Sequence, residues 1–231
     1  MKKLVSSSQK NARIAGVLFL LSMVLGIYNN LFLLSSKFFA ENFLTNVGSN
    51  SKAVIQSILI SIILGIFSVV ISILVYESFK HYSKILAMSF FALNIAKFSF
   101  SIVDKAVVFS ILSVSQEFLS ANGADENFYR LLGNVFINAR DLTHLLELFF
   151  GFITSILFFY ILFRTRLIPL TITAFGLIAS FIGATEMLLN LNGYNHKWHL
   201  LMLLPMALTQ LILAVWLIVK GFNRSEDFRE I

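Results

Sequence analysis

Residues 54–76 read VIQSILISIILGIFSVVISILVY, a run of 23 residues without a single Asp, Glu, Lys or Arg. At 1.5 Å rise per residue it reaches about 34 Å as an α-helix, enough to cross a hydrocarbon core of about 30 Å. A strand reading fails because the run is too long and too uniformly apolar for the alternating ten-residue strands of a closed barrel. Inside a bilayer every backbone amide must find its partner within the same segment, so the run is a membrane-spanning helix.

Working outward, five further stretches have the same character. The six spans lie at about 14–34, 54–76, 85–111, 143–163, 170–191 and 200–219. The chain as a whole is 58% hydrophobic and only 13% charged, with a mean hydropathy of +0.83. Soluble domains carry about 25% charge, so this surface calls for lipid as its solvent. The expectation is one all-α domain over 1–231, a polytopic bundle of about six transmembrane helices with no soluble domain attached. The absence of cysteine removes disulfides, thiol nucleophiles and Cys-ligated metals.

Orientation follows from the basic residues of the loops. One side carries Lys2, Lys3, Lys10, Arg13, then Lys80 and Lys84, then Arg164 and Arg166, then Lys220, Arg224 and Arg229, eleven in all. The other carries five: Lys37, Lys52, Arg130, Arg140 and Lys197. Both termini are expected in the cytoplasm, with the first span retained as a signal anchor and the protein multi-pass in the cytoplasmic membrane. The net charge of +6 is then an orientation signal rather than a nucleic-acid footprint, and the partner is the lipid bilayer. On the outer side two long connections are expected, 37–53 and 112–142. In the second, Asp125 is placed to cap a helix, and Phe128, Leu131, Leu132, Val135 and Phe136 recur at helical spacing, as an interfacial helix or as an early start of the fourth span.

Two stripes of small residues, Ser57, Ser61, Gly65, Ser68 and Ser72 in the second span and Gly176, Ala179, Ser180 and Gly183 in the fifth, predict close helix contacts. Pro205 interrupts the donor series of the sixth span, where a kink is expected.

Three stretches carry a resemblance: ARIAGVLFLLSMVLGI at Ala12–Ile27, YILFRTRLIP at Tyr160–Pro169 and QLILAVWLIVKGFN at Gln210–Asn223. They resemble the bacterial membrane family called domain of unknown function 4386, with the same order of spans over most of the chain. After Pro169 many relatives have a basic or Trp-rich start where this chain has Leu170-Thr171-Ile172, a departure that touches only the membrane boundary. The resemblance implies a multi-span bacterial membrane protein and carries over no substrate, cofactor or catalytic residue.

Ionisable groups inside spans are costly and face the bundle interior or a wet cavity. Asn94, Lys97, Ser101 and Asp104 recur at steps of three, four and three, with Lys105 beside them. Arg140, His144, Glu147, Gly151 and Thr154 form a second stripe adjoined by Asp141, and Glu186 and Asn190 close the fifth span. Asn29, Asn30 and His199 sit at similar ends. Counted from the span boundaries, Glu147 and Glu186 fall about 6 Å below the outer surface, and Lys97 near mid-membrane. The expected site is therefore an outward-facing polar pocket built from Lys97, Asp104, Lys105, Arg140, Asp141, His144, Glu147, Glu186 and Asn190.

An internal ion-pair network accounts for the same residues without any ligand. The functional readings beside it are a small polar or lipid-like ligand held with Lys97 and Glu186 as counter-charges, a metal-dependent membrane hydrolase, and a structural or partner-binding protein. The metal reading draws on His144, Glu147, Glu186 and His199, with Asp104 able to complete the set. No motif requires a cofactor, and none assigns a reaction.

The charge asymmetry predicts that Ser225→Cys, on this cysteine-free background, escapes an impermeant thiol reagent in intact cells and reacts only after permeabilisation. Labelling in intact cells would reverse the orientation.

Overall fold

The computed structural model describes residues 2–34, 42–121, 125–192 and 199–223. Every regular element among them is helical: α1 (Lys2–Tyr28), continued by a π-helical segment (Asn29–Leu34), α2 (Phe43–Ser49), α3 (Ser51–Lys80), α4 (Lys84–Ser120), α5 (Glu126–Thr165), α6 (Leu170–Leu191) and α7 (His199–Val219). Five are long and apolar enough to cross a membrane, namely Ser8–Leu34, Ser51–Lys80, Lys84–Ser120, Glu126–Thr165 and Leu170–Asn190; Leu204–Val219 in α7 is a shorter apolar helix. The protein is a multi-pass membrane protein.

One expectation needs correction. The long connection at 112–142 is almost entirely helical, because α4 continues to Ser120 and α5 already begins at Glu126. With 37 and 40 residues these helices measure about 55 and 60 Å. Of the two readings of the Phe128–Phe136 spacing the early start holds, since these residues begin α5 itself. Asp125, at φ 53°, stands immediately before α5, and its carbonyl accepts from the amides of Phe128 and Tyr129. Asn122-Gly123-Ala124 lies outside the described residues, as do Lys37, His196 and Lys197.

The chain folds as two compact units. The first comprises Met1–Met23, Phe67–Lys97 and Leu148–Ile231, and the second Val24–Ile66 and Phe98–Glu147.

In the first unit α6 is arranged opposite to a soluble amphipathic helix. Phe175, Ile178, Phe181 and Leu188 are exposed, while Gly176, Ala179, Ser180, Gly183 and Met187 are buried. Lipid is as apolar as a leucine core, so the inner face is chosen for close packing rather than hydrophobicity. A Cβ on Gly176 would strike the Phe159 ring, and one on Gly183 the Phe152 ring. Both pairs are seven residues apart, so two α5 phenylalanines seat in two matched α6 hollows. Ser180 also turns its hydroxyl to the Gly176 carbonyl at 2.7 Å, which satisfies it inside its own helix. Gly16 brings α1 against α7, where an added Cβ would lie 2.8 Å from Leu217 Cβ and 2.9 Å from the Ala214 carbonyl oxygen. Phe79, Phe90 and Phe158 pack with ring centroids 5.2–5.7 Å apart. Pro205 lies within the continuous α7, and the Thr209 hydroxyl donates to its carbonyl at 2.7 Å.

The second unit has its own apolar core. Leu34, Phe43, Leu44, Val47, Val54, Val108, Ile111, Leu112 and Val114 are buried together, with Tyr129, Leu132, Phe136 and Ile137 of α5 packed against them. This explains the early start of α5: its first turns bury one face on α2 and α4. Gly48 lets α2 approach α4, since a Cβ there would meet the Ser115 carbonyl oxygen at 2.9 Å, and Gly65 receives the Phe98 ring.

Gly183→Leu and Gly65→Leu should each lower thermal stability in detergent, by about 1–3 kcal/mol or more from overpacking. Gly26, with nothing within 4 Å of an added Cβ, is the internal control, and Gly26→Leu should be neutral. Equal melting temperatures for all three would contradict the packing described.

Candidate functional site

The polar stripe of α4 is an inward face: Asn94, Ser101 and Asp104 are buried and Lys97 is half-buried. The two units divide the expected site residues. Lys97, Glu186 and Asn190 belong to the first, and Asp104, Lys105, Arg140, Asp141, His144 and Glu147 to the second.

In the second unit Asp104 is the centre. It is 0% exposed, and a bare carboxylate at such a position would cost several kcal/mol in desolvation, about the range estimated for buried ions. Its own helix supplies the first compensation: the Lys105 ammonium lies 2.6 Å from Oδ2. From α5, the Arg140 Nε stands 3.9 Å from Oδ1. The Thr143 hydroxyl reaches Oδ1 at 3.3 Å and the Arg140 carbonyl at 3.0 Å, and its single proton serves one of them at a time. Arg140 also pairs with the half-exposed Asp141 at 3.2 Å. One turn further along α5, His144 and Glu147 join the group. One ligand-type atom from each of Asp104, His144 and Glu147 lies within 4.8 Å of the others. His144 Nδ1 is buried and meets no hydrogen-bond partner.

Elsewhere in this unit Asn29, on the π-helical segment, donates to Ser61 Oγ at 3.1 Å. Asn30 bonds back to the Gly26 carbonyl at 3.0 Å and is exposed, so it belongs to no cluster.

The first unit holds a cavity of about 80 Å³. Its polar lining is Ser68, Asn94, Lys97, Thr154, Ser155 and Gln210, and its aromatic walls are Phe19, Phe90 and Phe158. Several of these groups are locked by bonds of their own. Ser68 donates to Asn94 Oδ1 at 2.6 Å, Asn94 donates to the Phe90 carbonyl at 2.8 Å, and Thr154 to the Phe150 carbonyl at 2.7 Å. Gly151 lies beside the lysine stem, where a Cβ would make ordinary contact with Lys97 Cε at 3.8 Å. The space suits a few waters or one small polar group, not a drug-sized molecule. Sequence reasoning took Ser68 for a packing residue and did not see the cavity; the signal available was its register with Asn94 and Lys97 on a neighbouring helix. Glu186, also in this unit, is 0% exposed and accepts from the Asn190 amide at 3.4 Å. The side chain of His199 lies outside the described residues.

At the basic end of the first unit the stretches that carry the family resemblance come together. Gly16 of the first meets Leu217 of the last. The Gln9 amide, just before the first stretch, donates to the Phe222 carbonyl. Gly221, at φ 73°, ends α7 with its amide on the Trp216 and Leu217 carbonyls at 3.2 and 3.1 Å, a stop that favours glycine. Asn223 then ties the end of the chain's last helix to the middle stretch, with its backbone amide on the Leu167 carbonyl at 2.8 Å and its side chain on that of Arg166 at 3.1 Å. The sequence model of the domain of unknown function DUF4386 matches residues 14–221. The chain belongs to this family. No curated protein and no solved structure matches it. In this DUF4386 protein the matched region contains both the cavity and the charged cluster, so each is part of the family domain rather than an appendage.

Lys105→Met removes the closest cation from a fully buried carboxylate and should destabilise the DUF4386 protein by about 3–5 kcal/mol. Adding Asp104→Asn to that variant should restore much of the loss. Additive losses in the double variant, followed by denaturant unfolding in micelles, would mean that the pair is not coupled.

Proposed function

We propose that this DUF4386 protein is a membrane-embedded binding protein for a small polar or lipid-like ligand bearing a negative charge, held in the cavity of the first unit with Lys97 as its cation. The observation that carries the reading is the position of that lysine. Lys97 lies thirteen residues beyond Lys84 on α4, about 20 Å along the helix from its basic end. Gly151, beside it, is equally far from Arg164 on α5. An ammonium so deep in a hydrocarbon-facing bundle is costly, and such groups by default mark sites of function. The lining has the composition of a recognition site: one cation, amides from Asn94 and Gln210, hydroxyls from Thr154 and Ser155, and phenylalanine walls for an apolar flank.

The finer topology belongs to the same proposal. α7 serves as the sixth span, both termini lie in the cytoplasm, and the membrane is the bacterial cytoplasmic one. Support comes from the eleven-to-five distribution of basic loop residues and from the bacterial membrane family resemblance. The lining groups recognise and orient, and no reaction is assigned to them.

The test is mass spectrometry of protein purified from its membrane, with organic and aqueous extracts measured separately so that a lipid headgroup and a free anion are told apart. Wild type should carry one anionic species at near-stoichiometric amount. Lys97→Met, close in volume, should melt within a few degrees of wild type and lose that species at least tenfold. Equal retention by both proteins would end the proposal.

A further inference from the structure

The geometry points to a divalent metal site in the second unit, in which Asp104, His144 and Glu147 hold an ion of the zinc type. It belongs to a different compact unit from the Lys97 cavity, and its test is read without reference to that ligand.

Two observations carry it. The donors converge: His144 and Glu147 sit three residues apart on one face of α5, Asp104 comes from α4, and their ligand-type atoms already lie within 4.8 Å of one another. Tetrahedral zinc with bonds of about 2.0–2.2 Å needs donor atoms about 3.3 Å apart, so the three side chains have a short distance left to close. Facing helices of bundles build metal sites from such paired carboxylate and imidazole positions. Next, His144 presents a buried Nδ1 that meets no hydrogen-bond partner. The tautomer with its proton on Nε2 offers a lone pair at this Nδ1, and a metal is a partner that uses such a lone pair.

Lys105 and Arg140 do not block the site. Each carboxylate oxygen of Asp104 has two lone pairs, and a charge-assisted bond at 2.6 Å to Lys105 occupies one direction on Oδ2. Such outer partners orient a ligating carboxylate and tune its affinity. The donor set of one imidazole and two carboxylates selects zinc over magnesium or calcium, which prefer all-oxygen shells.

The experiment uses full-length protein in detergent, stripped with chelator, dialysed, and given Zn²⁺ or Co²⁺. Wild type should retain about one equivalent of zinc, gain thermal stability with it, and show the visible absorption of protein-bound Co²⁺. His144→Gln and Glu147→Gln should each lose the zinc equivalent and the cobalt band, while His81→Gln, at an exposed position elsewhere, should keep both. Glu147→Gln is nearly isosteric and decides the matter if His144→Gln does not fold. Zinc retained equally by Glu147→Gln, or no zinc retained by wild type, overturns the site.

Discussion

The closest contacts in this protein run through positions without a bulky side chain. Between helices in lipid there is no hydrophobic drive, because the solvent is as apolar as the core would be. What remains is packing at short range, and that requires glycine. Phe152 and Phe159 fit only because Gly183 and Gly176 face them, and Gly16 brings α1 close against α7. Large apolar residues, displaced from these contacts, turn outward on α6. The stop of α7 at Gly221 and the ties from Gln9 and Asn223 then close the basic end of the same unit.

A bundle that excludes water in this way raises the cost of every ionisable group within it, and two different solutions are visible. Around Asp104 an ammonium, a guanidinium and a hydroxyl gather from two helices. Lys97 borders open space lined by amides, hydroxyls and phenylalanine. The first arrangement fixes the relation of α4 to α5 at one level and leaves the Asp104 carboxylate with lone pairs to spare. The second leaves room for something that is not protein. That difference is why the ligand reading rests on Lys97.

Much of this was legible in the sequence, for identifiable reasons. The spans follow from length and the absence of charge, and five reappear as helices able to cross a membrane. The small-residue stripe of α6 was readable because glycine at steps of seven has few other uses in lipid. The continuation of α4 to Ser120 was not, since residues 112–120 mix Ser, Gln and Glu in the manner of a loop, whereas the spacing of Phe128–Phe136 already allowed an early α5; both pack on the core they share with α2. The joining of Asp104, His144 and Glu147 was half readable: spacing put His144 and Glu147 on one face, but nothing in one sequence says that α4 and not another helix lies opposite. The cavity was least legible. Ser68 looks the same in a string whether it packs against a helix or bonds Asn94 at the edge of a space, and phenylalanine walls are invisible in a chain with 25 phenylalanines.

The account turns on what occupies the space beside Lys97. An experimental density map of the protein extracted from its native membrane, at a resolution that resolves ordered non-protein atoms, measures this directly. The account predicts a discrete feature larger than water within hydrogen-bonding distance of the Lys97 ammonium, between Thr154, Ser155 and Gln210 and bounded by Phe19 and Phe158. Phenylalanine side chains collapsed across that space, or isolated water peaks alone, would contradict it.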